Sequence, residues 1–338
     1  MVLLPDFLEL EKAAGKDKPK PGRALLDTVS GNIMSVEKVK GFVFSDDSRW
    51  LVYRLFPEEE KPGKPGDKSE ETDKPGEKKA EKKTETTPLV LRELSSGKEI
   101  RLEKVGDSAL DPASRYFAYS LYDPDPASQN NGIYIRELQK NADMAKKIQG
   151  SPNAKYSNIT WSKTRSRLAF IFHENYRKDE AGNPTQSLPP TENKEYPTYL
   201  SSLMVWDGLK GTLRTAVSRN RFPQGWMLPS DNKLTWTKDE NRLFVGLKPM
   251  AEYQWTLPQP AHKEDKNNDP YDINGLLYKR GVEVWHWNDP LINSHQKKRW
   301  ERFRKQIYLS VYHFQDDWFV PLTDKEVPEL RISENPEY

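Results

Sequence analysis

An all-β fold built from repeated four-stranded antiparallel sheets is predicted by two features of this chain. The first is a ten-residue pattern that occurs four times without a gap, at Phe44–Tyr53, Leu110–Tyr119, Trp161–Phe170 and Trp236–Val245. Each copy opens on a large apolar residue, crosses a short polar turn and closes on an apolar run rich in aromatic and branched side chains, the pattern of strand, tight turn and strand. The second is the apolar run that follows each copy after a variable loop: Leu89–Leu102, Ile133–Leu138, Leu203–Leu209 and Val282–Trp287. Two hairpins per repeat make a four-stranded sheet. One such sheet has two open edges and an uncovered face, so repeats of this kind stack around an axis. The expected architecture is a β-propeller or partial propeller of four-stranded antiparallel blades.

Taken in order, residues 1–22 read as a flexible leader and 23–330 as the propeller. The first blade covers about 24–102, with Ser96-Gly97 supplying the turn before its outer strand. Inside it, 57–87 is almost wholly Lys, Glu, Asp, Pro, Gly, Ser and Thr, and cannot bury enough surface to offset its ordering entropy, so a disordered insertion is expected. The second blade, about 103–150, is the least decorated. The third, about 151–218, carries a long Pro-rich loop, His173–Leu200. The fourth, about 219–325, departs from the pattern: a polar excursion, Lys248–Lys279, precedes Val282–Trp287. Next comes Ile292–Lys305, free of Gly and Pro and rich in helix formers, which predicts one short basic helix. A further strand pair is expected at Ile307–Phe314 and Trp318–Leu322, followed by a tail at 331–338.

Composition narrows the functional classes. Of 338 residues, 53 are Lys or Arg and 51 are Asp or Glu, a net charge of +2, which gives no global drive toward nucleic acid or an anionic membrane. Cysteine is absent, so disulfides and cysteine-based zinc sites are excluded. Met1–Leu10 has no basic segment and is interrupted by Pro5 and Asp6, so no signal peptide is expected, and no apolar run approaches the roughly 20 residues of a membrane span.

Catalytic patterns are missing from the sequence. The nearest approach to a nucleophile elbow, Gly106–Leu110, lacks the second glycine; no phosphate-cradling glycine pattern occurs, and Gly63–Ser69 falls within the expected disordered insertion. His173, His262, His286, His295 and His313 have no metal-ligand spacing and read as structural. The acidic loop Asp265–Gly275 alternates oxygen ligands as a calcium loop does, but Pro270 stands where the glycine belongs and the closing glutamate is absent. No catalytic, cofactor or metal residue is therefore assigned. Among the aromatic residues, Trp50, Tyr53, Trp161, Trp206 and Trp236 fall at repeat positions and read as packing. Trp226, Trp255, Trp285 and Trp287 do not, and form the candidate ligand or partner surface, with Trp285 and Trp287 on one strand face.

Phe44–Tyr53 resembles the repeat of TolB-like propellers and of the amino-terminal propeller in the prolyl oligopeptidase family. Val282–Lys298, followed by Tyr308–Phe314 and Val320–Thr323, resembles a segment in the propellers of large, mostly exported bacterial members of that family. The likeness runs from about Thr28 to Leu330. It implies a substrate-gating module without the α/β-hydrolase domain that carries the family's triad, and a bacterial exported or periplasmic setting; the sequence itself assigns no compartment and leaves the cytoplasm open. The expected function is a non-catalytic module binding protein or peptide, partnered by a hydrolase domain or by a second copy that completes the ring. A stand-alone interaction scaffold is the alternative, and glycan binding a third reading.

Overall fold

In the computed structural model, residues 2–3, 20–57, 86–123, 125, 128–178, 184–188, 198–250, 252 and 293–332 are described. They are nearly all β, with one α-helix, and the chain divides into two compact units, Met1–Ser166 and Arg167–Tyr338. The expected insertion lies almost wholly outside the described residues, as do most of the leader and the tail. The part of the leader that is described, Val2–Leu3, forms a short strand, β1, antiparallel to Gly22–Arg23.

The first unit contains a hairpin, β2 (Gly22–Leu26) and β3 (Ile33–Val36), and a continuous seven-stranded antiparallel meander. Its strands are β4 (Val39–Phe44), β5 (Trp50–Leu55), β6 (Thr87–Glu93), β7 (Glu99–Leu110), β8 (Tyr116–Leu121), β9 (Gly132–Glu137) and β10 (Asn141–Gln149). Two four-stranded blades share this sheet because β7 belongs to both: Glu99–Val105 pairs with β6, and Val105–Leu110 pairs with β8. A register shift between Val105 and Ser108 marks the changeover, a bulge of the kind that bends a strand. Gly106 sits there because a Cβ would meet Ser120 Oγ at 3.0 Å. The freed backbone is held by Arg54, whose guanidinium donates to the Gly106 carbonyl (2.9 Å), Thr87 Oγ1 (3.0 Å) and Ser108 Oγ (3.0 Å). Strand β11 (Ala154–Trp161) packs on this second blade: its Ile159 amide donates to Asp107 Oδ2 (3.0 Å), and Trp161 stacks on Tyr116 with ring centres 5.8 Å apart. Leu89, Leu91, Val105 and Phe117 are fully buried in the core between these strands.

The second unit holds β12 (Arg167–Lys178), with β13 (Pro184–Leu188) and β14 (Thr198–Asp207) paired to it, and β15 (Thr212–Val217) beyond β14. A second sheet is centred on β18 (Arg242–Pro249), flanked by β16 (Trp226–Met227) and β17 (Thr235–Trp236), and then by β19 (Tyr308–His313) and β20 (Trp318–Pro321). Helix α1, Asn293–Lys305, coincides with the basic helix expected from sequence. The strand that follows β18 in the sheet is β19, in register from Arg242↔His313 to Leu247↔Tyr308. Val282–Trp287, assigned that position by sequence, lies outside the described residues. The strand pair expected as an addition to the fourth blade thus supplies that blade's third and fourth strands.

In the first and fourth copies of the repeated decapeptide the polar residues build the turn between two strands. In the first, Ser45 Oγ accepts the Trp50 amide (2.9 Å) and donates to Asp47 Oδ1 (2.6 Å), which also accepts the Arg49 amide (3.1 Å). In the fourth, Thr237, Asp239, Asn241 and Arg242 reproduce the same network. The fifth position is left-handed in three copies, at Ser48, Ser114 and Glu240; in the third copy the left-handed residue is Ser166, one place later. The sequences align without a gap, but the turns do not.

Candidate peptide-binding groove

The first blade has one feature the others do not repeat among the described residues. Its opening strand, β4, ends the seven-stranded sheet, with β5 the one strand paired to it. Phe42 and Phe44 lie on one face of β4, edge to face with ring centres 5.9 Å apart, and Val43 lies on the other. All three are exposed, at 49%, 39% and 59%. Lys40 is the one charged residue of β4, and among the described residues no strand pairs with its outer edge; an open, largely apolar edge of this kind is a template for another chain.

Beside this edge runs a groove of about 290 Å³. Its floor is formed by Val39, Leu51 and Tyr53, with Leu25 and Val36 packed against them, and Phe42 and Phe44 make one wall. The opposite wall is the β2–β3 hairpin, which brings Ala24, Leu26 and Met34. That hairpin closes on an Asx turn: Asp27 Oδ1 accepts the Val29 amide (2.9 Å), Asp27 Oδ2 accepts Ser30 Oγ (2.6 Å), and Gly31 takes the left-handed conformation that the turn needs, at φ 74°. The Val39 amide donates to the Pro21 carbonyl (2.9 Å), which ties the start of β4 to the start of β2.

Two polar side chains line the groove. Tyr53 donates its phenol proton to Glu99 (3.0 Å), and burial, reinforced by that carboxylate, pushes the phenol well above its ordinary range. It is a fixed donor rather than a nucleophile. Arg23 reaches across to Phe42, its guanidinium carbon 6.0 Å from the ring centre, and donates to the Gly22 carbonyl (2.8 Å); its Nε–H is buried with no partner. Among the described residues, Lys20, Arg23, Glu37, Lys38 and Lys40 stand at or near the starts of β2 and β4, and Asp27, Asp46, Asp47 and Arg49 in the turns that follow Leu26 and Phe44. What this arrangement can do is bind an extended chain: backbone pairing along β4, apolar side chains in the groove and a cation beside Phe42.

Of the tryptophans singled out from sequence, Trp226 is among the described residues. Trp226 lies in β16, edge to face with Tyr308 at 5.0 Å, against the second unit's core. Trp255, Trp285 and Trp287 lie outside the described residues, as do His262, His286 and the loop Asp265–Gly275. Trp50, Tyr53, Trp161 and Trp206 are buried, and Trp236 stacks on Phe314 at 5.1 Å. His173 is buried in β12 with Nδ1 2.9 Å from Ser201 Oγ. The groove was missed because it forms between two hairpins. Its trace in the sequence is Phe42-Val43-Phe44, three apolar residues in a row where a half-buried strand alternates. No described helix is long and apolar enough to cross a membrane.

No family model matches the chain, and no curated protein matches it. Among solved structures, it is similar to the β-propeller domain of the trilobed protease from Pyrococcus furiosus: 8% identity, 70% of this chain and 58% of that one, TM-score 0.37. It is similar also to the acylaminoacyl peptidase of Pyrococcus horikoshii, with 14% identity over 62% of this chain and 27% of that one, TM-score 0.34. A third is a nidogen/laminin complex, with 10% identity over 69% of this chain and 71% of that one, TM-score 0.33. The chain thus spans less than two thirds of the first two structures. At these identities and scores the likeness says nothing of function.

Proposed function

We propose that this chain is a non-catalytic propeller module that binds protein or peptide, with the β4 groove as its docking place. In the prolyl-oligopeptidase-like setting that the sequence resemblance implies, such a module gates access to a hydrolase domain. The observation that supports the reading is the coincidence, among the described residues, of an unpaired edge on an apolar strand with an apolar groove along the same strand. An extended segment laid on β4 gains main-chain hydrogen bonds from the edge and places alternate side chains in the groove.

The test is fluorescence anisotropy with a labelled, carboxy-amidated hexapeptide, Thr-Phe-Thr-Leu-Thr-Leu. It binds the wild type, weakens at least fivefold against Phe42→Ser and Phe44→Ser, and weakens when alternate peptide nitrogens are methylated. Equal binding to both variants and to the wild type removes the groove as the docking place.

A further inference from the structure

We infer that helix α1 is a second docking surface, and that its occupant is an acidic peptide segment with apolar side chains set among its carboxylates. Helix α1 belongs to the second unit and β4 to the first, so the two surfaces stand or fall separately.

The helix carries more charge of one sign than its own folding can use. Six residues of Asn293–Lys305 are Lys or Arg, and Glu301 is the one carboxylate. Acidic residues favour a helix in its first turn, and α1 has none there. Cations suit the last turn, which accounts for Arg302 and Lys305 but not for Lys298 and Arg299. Lys298 stands four residues before Arg302 and Arg299 three before it, a spacing that makes like charges neighbours and opposes the helix. Lys298, Arg299, Arg302 and Lys305 are exposed, and among the described residues Arg302 alone is ion-paired, to Glu329. Beside these cations are Trp300 and Phe303, neighbours at the same three-residue spacing, 45% and 47% exposed.

The same residues select the occupant. Glu329 lies in an irregular segment, so the helix already takes a side-chain carboxylate from non-helical polypeptide, the pairing that a guanidinium fits best. Two apolar side chains in a helix of 13 residues are too few to bury a face in lipid. Glu301, in the middle of the basic run, repels a phosphate backbone. Carboxylates alone leave Trp300 and Phe303 in water; apolar side chains between them cover both.

The experiment is fluorescence anisotropy of the full chain with two labelled, carboxy-amidated peptides, Glu-Asp-Leu-Glu-Asp-Phe-Glu and its amide counterpart Gln-Asn-Leu-Gln-Asn-Phe-Gln. The acidic peptide binds about tenfold more tightly than the amide one, and the gap closes as NaCl is raised. Lys298→Glu with Arg299→Glu removes that advantage, and Trp300→Ser with Phe303→Ser weakens the acidic peptide about fivefold. Lys298→Gln with Arg299→Gln gives a smaller loss in the same direction, and an unchanged thermal transition shows that each variant is folded. Phe42→Ser leaves the acidic peptide's affinity as it was. Equal affinity for the two peptides, full binding by the charge-reversed variant, or a loss with Phe42→Ser overturns the inference. Tighter capture of a twelve-nucleotide single-stranded DNA or of phosphatidylserine vesicles also overturns it, by giving the helix to phosphate. None of these outcomes alters binding of the uncharged hexapeptide that tests the β4 groove.

Discussion

The opening strands of the two blades in the first unit occupy the same position in the repeat and meet different fates. In the first blade, β4 presents Phe42, Val43 and Phe44 to solvent. In the second, the last residues of β7, Asp107–Leu110, run as a continuation of the previous blade's strand, are half-buried, and have β11 across them. Both strands lead into the same decapeptide. The repeat therefore encodes the hairpin, and the neighbour decides whether the hairpin's first strand is core or surface. That difference is what leaves the apolar residues of β4 open to solvent and makes β7 a structural joint.

The largest expected effect breaks or sustains this contrast directly. Phe117, on β8, is fully buried, and Phe117→Ala should cost about 3–5 kcal/mol in urea unfolding. Phe42→Ala should cost less than about 1 kcal/mol and act on peptide binding instead. Comparable losses of stability at both positions would mean that Phe42 is core and the groove is not a surface.

Next in size is the joint itself. Arg54 is partly buried, and burial holds its guanidinium below the ordinary value while Asp107 opposes that shift. Arg54→Met leaves the Gly106 carbonyl, Thr87 and Ser108 without their donor at the bulge where β7 passes from one blade to the next. A loss of about 2–3 kcal/mol is expected, with faster amide exchange concentrated in β7 rather than in β4. A uniform change in exchange across the sheet would show that β7 is not a joint.

How much of this could be read in the sequence follows the same line. The hairpins were legible because Ser45, Asp47, Thr237 and Asp239 are turn residues set between apolar runs, and they make the hydrogen bonds that such residues make. Helix α1 was legible from residues that favour helix and exclude its breakers. The order of strands in the fourth blade was not: Val282–Trp287 and Tyr308–His313 are both apolar and alternating, and nothing local tells which run pairs with β18. The left-handed residue of the third turn, Ser166, was hidden for a related reason. Ser166 donates to Asp111 Oδ2 (2.8 Å), a contact 55 residues away in the chain. The groove depends on the β2–β3 hairpin lying beside β4, and on a cation, Arg23, whose environment no pattern reports.

The smallest effect separates the same two blades by the sign of their response to pH. Asp47, in the open turn of the first blade, has its carboxyl held below the ordinary value: partial burial pushes it up, but hydrogen bonds from Ser45, the Arg49 amide and Ser114 outweigh that. Asp111, in the covered turn of the second blade, is raised by burial, against the opposing hydrogen bonds from Ser166 and from the Ala113 and Arg115 amides. A lowered carboxyl binds fewer protons folded than unfolded. Its stabilisation is present above the unfolded value near 4, and is lost as pH falls through the folded value. A raised carboxyl does the reverse, so its ionised form costs stability above the folded value, and that cost disappears as pH falls toward the unfolded one. Asp47→Asn should therefore flatten the loss of stability below about pH 4, and Asp111→Asn should raise stability at neutral pH relative to pH 4, each by about 1 kcal/mol or less in denaturant titrations. Both variants shifting with the same sign would mean that the two turns share one environment, and the contrast between an open first blade and a covered second one would be lost at the turns.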